Sequence, residues 1–99
     1  MPQKPQKNTE ASLYNPGEML TVNRISAIRE NILGLLSEKN ELNLDLKDIK
    51  ECDTAGIQIL VSLKKYGRQQ GKVLSIINET EPVVNEALVL GFYPEDLFV

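Results

Sequence analysis

The chain contains no histidine and no tryptophan, a single cysteine, and only three tyrosines and two phenylalanines among 99 residues. Without histidine there is no Ser-His-Asp or Cys-His catalytic arrangement and no imidazole metal site. Cys52 has no second cysteine with which to close an internal disulfide, which points to a reducing, cytoplasmic setting. No Gly-x-x-x-x-Gly-Lys-Ser/Thr or Gly-x-Gly-x-x-Gly sequence occurs, so the common phosphate cradles are missing. The basic excess that nucleic acid demands is absent too: 11 Lys and Arg stand against 14 Asp and Glu, for a net charge of −3. No apolar run approaches the roughly 20 residues of a membrane span. Residues 1–10 hold Pro2 and Pro5 but no apolar core of a secretory signal, and read as a flexible tail.

What is there is a regular alternation of short apolar strands and amphipathic helices over residues 11–99. Ala11–Tyr14 and Met19–Val22 flank Asn15-Pro16-Gly17-Glu18, whose Pro-Gly turn chemistry predicts a hairpin. From Asn23 the period changes to that of a helix ending near Glu38, with Ile25, Ile28, Ile32, Leu35 and Leu36 on one stripe. Residues 42–46 alternate again. A helix over 54–70 is stopped by Gly71, and Val73–Ile77 is a compact β-branched strand. Thr80 and Pro82 open a helix ending at Gly91, after which Phe92, Tyr93, Leu97, Phe98 and Val99 are expected to fold back on the core. Strands alternating with helices of this length define an α/β domain, here a four- to five-stranded mixed sheet with three main helices, the hairpin giving the antiparallel part.

The most informative stretch runs from Leu42 to Leu60: strand, polar loop, then Asp53-Thr54-Ala55-Gly56 and at once a helix. A helix start offers unpaired N–H groups and a partial positive charge, so the Thr54 hydroxyl there is either a plain N-cap or an exposed regulatory point. The acids Asp45, Asp48, Glu51 and Asp53 resemble a receiver domain's phosphate-accepting set only superficially. They cluster on a central strand and its loop, where solvated polar residues are ordinary. No catalytic residue, metal-ligand set or cofactor site is assigned, and the chain reads as a non-enzyme.

Leu44-Asp45-Leu46, Asp53-Thr54-Ala55-Gly56-Ile57, the helix to Gly71, Val73–Ile77 and Pro82–Gly91 together resemble the STAS domain of bacterial anti-sigma-factor antagonists and sulfate transporters. Gly17-Glu18-Met19-Leu20-Thr21 is similar to the family's early Gly-Glu-Leu strand. The resemblance covers about residues 11–92 and implies a protein-binding regulator. In antagonists of the SpoIIAA and RsbV type a kinase phosphorylates a serine at the position of Thr54, so the resemblance implies Thr54 as a phosphorylation site. The Asp-Thr-Ala-Gly form also resembles STAS proteins associated with chemotaxis kinases, and MlaB, a subunit of phospholipid-trafficking ABC transporters.

The helix after Thr54 adds a reading of its own. At about 100° per residue, Gly56, Ile59, Leu60, Leu63, Tyr66 and Gly67 share one side, the expected core face. Ile57, Val61, Lys64 and Arg68 form a second stripe. With Asp53, Thr54, Ala55 and Gly56 this stripe is the expected partner-binding surface. Two functions follow: a switch that docks an anti-sigma-factor kinase or chemotaxis-type signalling protein and is released by Thr54 phosphorylation, or a constitutive MlaB-like subunit on a transporter ATPase. Neither requires nucleic acid or direct membrane insertion.

Overall fold

A computed structural model describes residues 12–93 and Leu97; the expected tail at 1–10, and Ala11, Phe98 and Val99, lie outside the described residues. The elements are β1 (Ser12–Tyr14), β2 (Met19–Leu20), a 3-10 turn at Val22–Arg24, α1 (Ile25–Glu38), β3 (Glu41–Asp45), β4 (Glu51–Cys52), α2 (Thr54–Gln69), β5 (Val73–Ile77) and α3 (Glu81–Val89). The α/β class and the three helices match expectation, each helix to within about two residues of its predicted ends, the usual scatter at frayed termini. β1, β3 and β5 form one sheet in that order, and β2 pairs with β4.

All described pairings are parallel, so the expected hairpin and the mixed sheet it implied are corrected. Gly17 does take a turn conformation, with φ 100°, and its N–H donates to Asn15 Oδ1 at 2.8 Å. The turn bends the chain without reversing it. β1 runs along β3 and β2 then runs along β4, so two interrupted strands lie side by side. Asn15 Nδ2 donates to Asp48 Oδ2 at 2.8 Å across the interruptions, and the N–H groups of Lys50 and Glu51 both donate to Glu18 O. A parallel pair needs a long crossover, and α1 supplies it between β1 and β3 as α2 does between β3 and β5.

Period-2 alternation then builds a one-sided sheet. Leu42 and Leu44 align with Leu74 and Ile76 and all four are buried, whereas Leu13, Asn43 and Ser75 align on the opposite, wetter face. Against the covered face α1 lays Ile28, Ile32 and Leu36. α2 contributes Ile57, Ile59, Leu60 and Leu63, and α3 adds Val83 and Ala87. Leu20 from β2 and Leu97 belong to the same cluster, so of the residues expected to fold back Leu97 is buried and Phe92 partly buried, whereas Tyr93 is exposed. Among the described residues no helix is long and apolar enough to cross a membrane.

Candidate functional site

The loop after β4 delivers Asp53 in an extended conformation, φ −118° and ψ −177°, to the start of α2. Asp53, and not Thr54, is the N-cap: its Oδ1 accepts from Gly56 N–H at 2.9 Å. Its Oδ2 accepts from Val22 N–H at 2.9 Å, and its own N–H donates to Leu20 O at 3.2 Å. One carboxylate therefore caps the helix and fastens the chain just after β2 to it. The two carboxylate oxygens take one donor each, which a single hydroxyl oxygen cannot do from two separate atoms.

Gly56 is fixed by the same contact. A Cβ built there would lie 2.1 Å from Leu20 O and 2.9 Å from Leu20 Cγ, so only glycine lets β2 cross this close to the first turn of α2. The Asp and Gly of Asp-Thr-Ala-Gly thus serve the fold, and Thr54 and Ala55 are left to the outside.

Thr54 is the first residue of α2 and is exposed. Its hydroxyl donates to Glu86 Oε2 at 3.1 Å, an α3 residue 32 positions away. Glu86 carries no sequence signal, because only the packing of α3 beside β4 and α2 brings it to the turn. Half-buried Cys52 completes the group. Its thiol is pushed up to about 12 by burial first and then by the negative charges of Glu86 and Asp53, so it stays protonated and inert as a nucleophile. The tip of the site is a hydroxyl bonded to the Glu86 carboxylate and next in the chain to the capping Asp53. Among the described residues no three of Cys, Asp and Glu come together as a metal-holding group.

The expected binding stripe along α2 does not hold as one surface. Ile57 is fully buried, because α2 is wrapped by the sheet, α1, α3 and β2 rather than resting on the sheet alone. Val61 is half-buried against the core, and Tyr66, expected inside, is 40% exposed. What remains accessible is Asp53–Ala55 at the N-terminal end and Lys64 with Arg68 toward the other. Ten to fourteen residues of helix at 1.5 Å each separate Thr54 from those cations by about 15–21 Å.

The site thus sits in a parallel α/β layer, at a capped turn that presents a hydroxyl at the start of the second helix. Residues 17–93 match the family described as "Mlab, STAS domain", and the chain belongs to that family. STAS domains in general mediate protein–protein contacts and are not catalysts. A search of curated proteins gives no match to the chain.

Proposed function

We propose that this protein is a non-catalytic, MlaB-like cytoplasmic subunit that docks onto the ATPase of a phospholipid-trafficking ABC transporter through its Asp53–Ala55 turn, with Thr54 unmodified. The observation that carries this reading is the hydrogen bond from Thr54 to Glu86 beside the Asp53 carboxylate. A phosphate on Thr54 adds about −2 charge, which here meets the Glu86 carboxylate and breaks that bond. The unmodified hydroxyl–carboxylate pair is instead a polar contact already formed in the free chain, which a partner can meet. The MlaB description of the family supports the same choice.

A second reading keeps one observation in its favour: Thr54 is exposed at the tip of a well-anchored turn, within a kinase's reach. On that reading the protein resembles an anti-sigma-factor antagonist, and phosphorylation ejects it from a kinase-type regulator by charge repulsion.

Titrating the purified chain against a purified ATPase of a phospholipid-trafficking ABC transporter, and against a kinase-type regulator of the anti-sigma-factor class, tests both. Thr54→Ala weakens the ATPase complex under the first reading. Under the second it binds the regulator constitutively, and phosphate-affinity electrophoresis of protein from growing cells finds modified Thr54. Modified Thr54 with an Ala variant that still binds the ATPase fully overturns the transporter reading.

A further inference from the structure

The two accessible ends of α2 are chemically different, and the far end is a built trough. Lys64, Arg68, Lys72, Val73 and Leu74 line a cavity of about 240 Å³ between α2 and the start of β5. A second cavity of about 170 Å³ shares Lys64 and Arg68 and is walled on its other side by Val61, Phe92 and Leu97. Two cations therefore form the common floor of a cleft with an apolar wall.

The three cations are not equivalent. Lys72 Nζ donates to Leu36 O and, at 3.4 Å, to Lys39 O, so its charge sits against the free carbonyls that end α1. Lys64 Nζ donates to Leu74 O at 3.1 Å on β5, an edge strand of the described sheet. Arg68, in the last turn of α2, complements the helix dipole. Neither of these last two roles supplies a negative charge. Among the described residues the ion pairs are Lys47–Asp45 and Lys50–Glu18, and neither reaches the trough. Lys64 and Arg68 line the same two cavities, and Lys64 is held below the ordinary lysine value by its burial first and by the like charge of Arg68 second. A carboxylate entering the cleft relieves that repulsion and pairs bidentately with the Arg68 guanidinium.

We propose that this trough binds an acidic segment of a partner protein, a glutamate or aspartate set over Lys64 and Arg68 with a neighbouring apolar side chain against Val61, Phe92 and Leu97. Charge complementarity selects an acidic occupant, and the apolar wall selects a peptide over a bare anion. The site is separate from the Thr54 turn, so the proposal stands whichever partner meets that turn.

Fluorescence anisotropy with a short labelled peptide of glutamates flanked by leucines is the test, with its glutamine counterpart and inorganic phosphate as competitors. The acidic peptide binds and weakens as salt is raised. Arg68 is exposed, so Arg68→Glu leaves the fold intact and lowers affinity at least about tenfold. Lys65→Glu, an exposed cation outside the trough, leaves affinity unchanged, and so does Thr54→Glu, which reports on the turn alone. Equal loss in Lys65→Glu and Arg68→Glu means non-specific attraction and overturns the proposal. Phosphate displacing the peptide at equal concentration reduces the trough to a small-anion site and does the same. Absence of peptide binding in the wild type at low salt ends the proposal.

Discussion

Gly56→Ala is a one-methyl change with a large expected cost. The added Cβ meets the Leu20 carbonyl at 2.1 Å, a backbone atom that no side-chain rotation can clear, so β2 or the first turn of α2 must move. Movement loosens three things at once. Two hydrogen bonds tie this crossing together, Asp53 N–H to Leu20 O and Val22 N–H to Asp53 Oδ2, each contributing about 1 kcal/mol net, or somewhat more for the charged acceptor. Leu20 is fully buried, and partial exposure forfeits a share of the roughly 1.5–3 kcal/mol that its burial contributes. The sum is about 3–4 kcal/mol, against a total stability of about 5–15 kcal/mol for a domain of this size. Gly34→Ala is the internal control. Gly34 lies in the middle of α1 with nothing within 4 Å of its built Cβ, so alanine there stabilises by about 0.5–1 kcal/mol through helix propensity. Urea denaturation of both variants gives opposite signs. A Gly56→Ala midpoint within about 0.5 kcal/mol of wild type refutes the close approach of β2 to α2.

Asp53→Ala removes the cap and the anchor to Val22 and should cost about 2–3 kcal/mol, whereas Thr54→Ala, losing one exposed hydrogen bond, should cost about 0.5 kcal/mol; equal losses in thermal melts contradict the assignment of the cap. Ile57→Asp places an unpaired charge in the core and should unfold the domain, while Arg68→Glu melts within about 0.5 kcal/mol of wild type, as circular dichroism will show. The raised Cys52 thiol means that the native state holds its proton where the unfolded state, with a value near 9.0, has lost it. Its contribution to stability is present below pH 9 and disappears as pH rises toward 12, and Cys52→Ala should flatten that part of the stability profile. Iodoacetamide at pH 8 should label native Cys52 slowly and the urea-unfolded chain quickly; fast native labelling rules out the buried, negatively surrounded thiol.

The sequence by itself determined what is local. Helical periodicity placed α1, α2 and α3, Gly71 and Gly91 closed two of them in the left-handed region with φ 71° and 91°, and β-branched residues marked β5. The Asp-Thr-Ala-Gly turn at a helix start was legible because capping and glycine tolerance are properties of a few adjacent residues. The tertiary structure decided the rest. Asn15-Pro16-Gly17 specifies a bend but not which strand the next segment joins, so parallel pairing of β2 with β4 replaced the hairpin, and two-residue β4 was too short to show a period. Whether the carboxylate or the hydroxyl caps α2 depends on where Val22 and Glu86 arrive from distant segments. Thr80 occupies its cap position, yet its hydroxyl donates to Ile49 O at 2.7 Å, another long-range competitor that local reading does not contain. Periodicity sorts a helix into two faces, one in and one out. α2 is enclosed on several sides, and that enclosure buried Ile57, cut the expected stripe in two and left Thr54 and the Lys64–Arg68 trough at opposite ends of one helix.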